Sequence, residues 1–92
     1  MTPETVKIGS INDDYIGHIV SIPGEIEKIK INDGTVFINL VDSTGNIDVV
    51  VFENTAKGEK INGLEKGQNI TVIGKVEFYK NGLEIVASSI EH

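Results

Sequence analysis

The sequence divides into five strand-length segments in which apolar and polar residues alternate, and short groups rich in Gly, Asn and Asp separate them. These groups include Asn32-Asp33-Gly34 and two others that end in Gly45 and Gly82. Alternation with a period of two is typical of strands buried on one face, and Asn-Asp-Gly between two such strands indicates a hairpin turn. The chain has 92 residues, of which 39% are hydrophobic. We therefore expect one core and a single domain over residues 1–92.

The predicted strands cover residues 18–31, 35–41, 46–52, 69–79 and 83–91. Residues 53–68 contain three glycines and few apolar side chains, which predicts a loop or a short helix anchored by Ile61 and Leu64. An open sheet of five strands would leave one face bare and two edges unpaired. Closure of the sheet into a small barrel removes both problems.

Glycines interrupt the two longest strands near their middles, at Gly24 and Gly74, where a strongly coiled strand needs them. The apolar parity shifts after Ile26, which predicts a bulge. We therefore predict an all-β fold, a five-stranded Greek-key barrel of the OB type over residues 16–91. A short helical or irregular connector joins strands three and four. Residues 1–17 form a lead-in, and Ile8, Ile11 and Ile16 are expected to plug a barrel end.

Composition excludes several kinds of chemistry. The chain has no cysteine, so disulfides and thiolate metal sites are absent. There is no D-x-D-x-D-G loop and no histidine cluster, and we expect no metal and no cofactor. No apolar run approaches the roughly 20 residues of a membrane span, and the N-terminal residues lack the pattern of a signal peptide. We expect a cytoplasmic protein without membrane contacts.

Catalysis has no support in the sequence. The serines have no histidine partner in an orienting pattern, and there is no glycine-rich phosphate loop. OB-fold nucleases of the staphylococcal type use arginines to stabilise negative charge at phosphorus. This chain contains 8 lysines but no arginine. We therefore expect that the protein is not an enzyme.

The stretch FINLVDSTGNIDVVVF, residues 37–52, resembles strands two and three of the OB-fold nucleic-acid-binding family. That family includes the anticodon-binding domains of class II aminoacyl-tRNA synthetases and archaeal replication-protein-A-like domains. VSIPGEIEKI before this stretch and the L-x-K-G-x-x-I-x-V-x-G-x-V pattern after it agree with the resemblance. The resemblance implies a non-catalytic module that binds single-stranded nucleic acid, DNA or RNA, on the face of strands two and three.

The resemblance also implies roles for individual residues. Phe37 matches the strand-two aromatic residue that stacks on an anticodon base in the synthetase relatives. The strand-three position that often carries a base-reading glutamine is Asp48 in this chain. A carboxylate at that position accepts a hydrogen bond from a base amine but repels phosphate.

Lysines occur where an OB-fold ligand groove would lie, near the first hairpin and on the fourth strand and its turn. We expect these lysines to guide the nucleic-acid backbone, Tyr79 to stack on a second base, and Asn39 to contact a base edge. The predicted binding site consists of Phe37, Asn39, Asp48, Lys28, Lys30, Lys75, Tyr79 and Lys80.

Each of these assignments has an alternative. Phe37 can be a core residue instead, Tyr79 can pack on the barrel rim, and lysines commonly decorate exposed strand edges. The formal net charge of −6 and the missing arginine favour a second hypothesis, a protein-interaction OB domain that has lost nucleic-acid binding. Either module would belong to a larger chain or complex. Val50 is expected to face outward, and Glu77 and Glu84 to be ordinary exposed residues.

Overall fold

The structure is a computed structural model that describes residues 3–58, 61, 63–80 and 82–92. The elements in chain order are β1 (Glu4–Thr5), two 3-10 turns (Ile8–Ser10 and Asp13–Tyr15), β2 (Ile19–Asn32), β3 (Thr35–Asp42), β4 (Gly45–Val51), α1 (Glu53–Gly58), β5 (Asn69–Tyr79) and β6 (Gly82–Glu91). Strands β2 to β6 are the five predicted strands, and α1 lies in the predicted connector. The two-residue strand β1 is an addition that the sequence pattern does not reveal.

The five long strands close into a barrel. Their order is β2-β3-β4-β6-β5, and β5 pairs back with β2. Strand β2 reaches both neighbours because its first half pairs with β5 and its second half with β3. All of these pairs are antiparallel except β4 with β6, which is parallel. The predicted all-β, five-stranded OB barrel with a short helical connector is confirmed.

The strand glycines lie at close approaches between neighbouring strands. A Cβ atom on Gly74 would lie 2.8 Å from Cα of Ala87 and closer still to the carbonyl oxygen of Val86. A Cβ atom on Gly24 would lie 2.7 Å from Cγ of Leu40. The register of β2 against β3 shifts just after Ile26. The bulge predicted there is confirmed.

The hairpin turns have the local chemistry that their residues favour. Asp33 and Gly34 both have positive φ angles, 52° and 83°, as a two-residue hairpin turn between twisted strands requires. In the next hairpin the Asp42 carboxylate accepts hydrogen bonds from the backbone N–H groups of Thr44 and Gly45. It also accepts one from Ile8 N–H, at 2.9 Å, and so ties the lead-in to the barrel.

The core lies inside the barrel and is lined by one face of each strand. Fully buried members include Ile22, Leu40, Val51, Val76 and Ile85. Leu64 is buried in this core and Ile61 packs against it, as predicted for the connector. In the lead-in, Val6 and Ile8 are buried, but Ile16 is 41% exposed. The prediction that Ile16 plugs the barrel end is wrong, whereas Ile11 packs against the core.

Candidate functional site

The outer face of β3 and β4 carries the residues that the sequence singled out. In this antiparallel pair Phe37 lies opposite Val50, and Asn39 lies opposite Asp48. Opposed residues project from the same face of a sheet. The Phe37 side chain is 45% exposed, and the residues before and after it are buried. The prediction that Phe37 lies on the outer face, and not in the core, is confirmed.

Strand pairing extends this face in two rows of side chains across the barrel. We call them the apolar row and the polar row. The apolar row is Lys30, Phe37, Val50, Val86 and Lys75. The polar row is Lys28, Asn39, Asp48, Glu84 and Glu77. Each row begins with a lysine on β2, so positive charge lies along one side of the face.

A groove of about 580 Å³ runs over this face. It is lined by seven of the eight predicted site residues, namely Lys28, Lys30, Phe37, Asn39, Asp48, Tyr79 and Lys80. Lys75 is the exception. It belongs to the apolar row and is exposed on β5, but it does not line the groove.

The far wall of the groove is the hairpin between β5 and β6. Tyr79 is 55% exposed there, and Lys80 holds its Nζ atom 5.3 Å from the centroid of the Tyr79 ring. An ammonium group at this distance from an aromatic ring is attracted by the negative charge of the ring face. Tyr79 therefore does not pack into the core, and it stands beside the Lys80 cation in a groove that Lys28 and Lys30 also line.

The apolar row gives the groove a hydrophobic floor. Val50 projects outward, as its parity predicts, but it is only 5% exposed, and it does not belong to the main core cluster. The predicted outward direction of Val50 is confirmed, and its burial is a feature that the sequence did not predict. Its place in the row between Phe37 and Val86 explains the burial, since both neighbours cover it. Sequence periodicity reports the direction of a side chain but not the cover that neighbouring strands supply.

Within the polar row, Asn39 and Asp48 are joined by a side-chain hydrogen bond. The Asn39 side-chain nitrogen donates to Oδ1 of Asp48 at 3.0 Å and to Oδ1 of Asn46 at 3.3 Å. An ionised carboxylate only accepts hydrogen bonds, so the amide must present its nitrogen to Asp48. Both hydrogens of that amide are directed at protein oxygens. The carbonyl oxygen of Asn39 is the atom left for a ligand.

Carboxylates complete the polar row. Glu84 and Glu77 are half-buried, and the expectation that they are ordinary exposed residues is wrong. Burial raises the pKa of Glu84, and the negative charges of Asp48 and Glu77 raise it further. The parallel pairing of β4 with β6 creates this cluster, because it places Glu84 opposite Asp48. Glu84 and Leu83 also line the groove, and the sequence did not predict either of them as a site residue.

Two kinds of feature are not found in the described part of the chain. Across residues 3–58, 61, 63–80 and 82–92 there is no group of three or more His, Cys, Asp or Glu side chains arranged to hold a metal ion. No helix within those same residues is long and apolar enough to cross a membrane.

Comparison with known proteins agrees with the fold and points to nucleic acid. The family described as OB-fold nucleic acid binding domain matches residues 20–92. Aspartate–tRNA ligase from Lactococcus lactis subsp. cremoris is 30% identical over an alignment 94 positions long, which covers 90% of this chain and 16% of the ligase. The chain therefore spans about one sixth of the length of this curated relative.

Two solved structures show the same barrel. Asparaginyl-tRNA synthetase from Pyrococcus horikoshii superposes with a TM-score of 0.83 at 23% identity, over 98% of this chain and 23% of the synthetase. A chain of the S. pombe Stn1–Ten1 complex superposes with a TM-score of 0.73 at 24% identity, over 89% of this chain and 68% of that chain. At these identities the similarity shows the fold alone.

Proposed function

Because the chain belongs to the family of OB-fold nucleic acid binding domains, we propose that it binds single-stranded nucleic acid in the groove over β3 and β4 and catalyses no reaction. The observation that carries this proposal is the exposed Phe37 ring, which stands in a groove between two lysine-bearing hairpins. The chain would work inside a larger protein or complex, and we propose a cytoplasmic location.

In this proposal each part of the groove has a separate role. Phe37 stacks on one base and Tyr79 on a second, and base–aromatic stacking contributes about 1–3 kcal/mol per base. Lys28, Lys30 and Lys80 neutralise backbone phosphates along the two walls of the groove. Three such contacts on a single strand predict a slope of about −2 in a plot of log K against log salt concentration.

The test is fluorescence anisotropy with short single-stranded DNA and RNA oligonucleotides at low salt. Phe37→Ala is expected to weaken binding by about 5- to 100-fold, the equivalent of one lost stacking contact. Phe52→Ala is the matched control, because Phe52 is 53% exposed and does not line the groove. It should bind like the wild type. No binding at high micromolar protein, or equal binding by the wild type and Phe37→Ala, would refute the proposal.

A second candidate function is protein–protein interaction through the same groove. The net charge of −6 and the carboxylates of the polar row favour it, since both oppose phosphate. A partner that protects Phe37 from solvent and is not displaced by oligonucleotides would establish this function in place of the first.

A further inference from the structure

The polar row of the groove presents free hydrogen-bond acceptors to a ligand but few free donors. Asn39 directs its donor nitrogen at Asp48 and Asn46, and its carbonyl oxygen accepts no hydrogen bond from the described part of the chain. Asp48 accepts one hydrogen bond, at Oδ1. Glu84 carries a carboxyl group beside it. The polar row therefore offers a ligand oxygen acceptors and, between Asn39 and Glu84, no free donor.

The position of Phe37 brings a base edge to these acceptors. Phe37 and Asn39 are two residues apart on β3, and same-face side chains at that spacing lie about 7 Å apart. Their partners Val50 and Asp48 repeat the spacing on β4. A base stacked on Phe37 thus rests on the apolar row and projects its edge over the polar row. Unpaired bases are commonly read at their Watson–Crick edges in this way.

The four bases differ in what they present to a floor of acceptors. The Watson–Crick edge of guanine carries two adjacent donors, N1–H and the N2 amine, which can bond the two oxygens of one carboxylate, and a single acceptor, O6, beside them. Adenine and cytosine carry one exocyclic amine beside an acceptor nitrogen. Thymine and uracil carry one N–H between two carbonyl oxygens, and carboxylates repel those oxygens.

We propose that Asp48 and Glu84 make this groove selective for guanine and disfavour thymine and uracil at the position that stacks on Phe37. This inference rests on the proposed function, since it requires that single strands bind in the groove. It adds a specificity that stacking and backbone contacts cannot supply, because every base has an aromatic face. Both carboxylates act by accepting hydrogen bonds from the base.

The experiment compares oligothymidylates with and without one central guanine by fluorescence anisotropy. A bidentate contact discriminates by about 1–3 kcal/mol, and the groove is open to solvent. We therefore expect the lower part of that range, a preference of about 5- to 10-fold for the guanine-containing strand. Inosine in place of guanine lacks the N2 amine and should lose most of the preference.

Three variants separate the effect of carboxylate hydrogen bonds to the base from the effect of negative charge alone. Glu84→Gln and Asp48→Asn are expected to reduce the guanine preference at least threefold, while the affinity for oligothymidylate rises because one negative charge is gone. Glu77→Gln is the matched control. It removes the same charge from the same row but does not line the groove. It should raise the affinity for both strands equally and leave their ratio unchanged.

The outcomes distinguish failure of the guanine selectivity from failure of the proposed nucleic-acid binding. If no oligonucleotide binds, the proposed function fails and the inference fails with it. If both strands bind equally well, or if the preference survives in Glu84→Gln and in Asp48→Asn, the inference alone is refuted. Loss of the preference in one of these two variants supports the inference and identifies the carboxylate that contacts the base.

Discussion

The close pairing of β5 with β6 depends on the absence of a side chain at residue 74, and Gly74→Ala tests this dependence. The added Cβ atom would lie 2.8 Å from Cα of Ala87 and 2.8 Å from Cγ2 of Ile85, and nearer still to the carbonyl oxygen of Val86. Two of these three neighbours are backbone atoms of β6. They cannot withdraw by changing rotamer, so the strand itself must move.

The expected loss of stability follows from that movement. Overpacking a well-packed site by one methyl group costs about 1–3 kcal/mol, and the upper end applies where backbone must shift. The β5–β6 pair is also the longest ladder of the barrel, from Thr71 with Glu91 to Tyr79 with Gly82. We expect Gly74→Ala to lower the free energy of unfolding by about 3 kcal/mol, which in a domain of this size lowers Tm by roughly 10–20 °C.

Urea unfolding followed by far-UV circular dichroism measures this change, with Gly82→Ala as the matched control. Gly82 lies on the same strand pair, but a Cβ atom built there meets nothing within 4 Å. Its substitution should change stability by less than about 0.5 kcal/mol. If Gly74→Ala is as stable as Gly82→Ala, the close approach does not constrain the barrel and the reasoning is wrong.

Glu84→Gln is expected to raise stability at about pH 7, because the raised pKa of Glu84 makes the stability of the wild type fall as pH climbs above the ordinary value. Urea unfolding below about pH 4 should show no gain. Burial tends to raise the pKa of Asp42, but hydrogen bonds from the Thr44 hydroxyl and from backbone N–H groups lower it overall. Asp42→Asn should therefore lose about 1 kcal/mol at neutral pH. That loss should vanish in urea unfolding at an acid pH where wild-type Asp42 is protonated, and a pH-independent loss would contradict this account. Lys30→Ala should make the salt slope of binding shallower by about 0.7, whereas Lys75→Ala, outside the groove, should leave it unchanged in anisotropy titrations.

The turns and the alternation of buried and exposed side chains can be predicted from the sequence, because both depend on neighbouring residues in the chain. The positive φ angles of Asp33 and Gly34 follow from residues that tolerate that conformation. Phe37 faces outward because a strand alternates its side chains and the flanking residues belong to the core. The resemblance to OB domains then indicates which outward face matters. Seven of the eight residues predicted on these grounds line one groove.

The parts that local sequence does not reveal depend on ring closure. Glu84 lies 36 positions after Asp48 in the chain, and only the parallel pairing of β4 with β6 brings them together. The cover over Val50 has the same origin, since Val86 comes from β6. Lys75 does not line the groove although its strand pairing places it in the same row as Phe37, because β5 contributes to the groove only at its end, with Tyr79. Alternation along one strand contains no information about any of these neighbours.

The net charge and the lysine placement make opposite predictions about salt, and the geometry favours the lysines. The described residues extend over 32 × 30 × 25 Å, whereas charges are screened over about 10 Å at 0.1 M salt. Carboxylates on the far side therefore act weakly on a strand in the groove. Affinity should fall with added salt at a slope near −2 and level off at low salt, where the repulsion by the whole molecule is least screened. An affinity that rises steadily with salt would show that the net charge governs the groove.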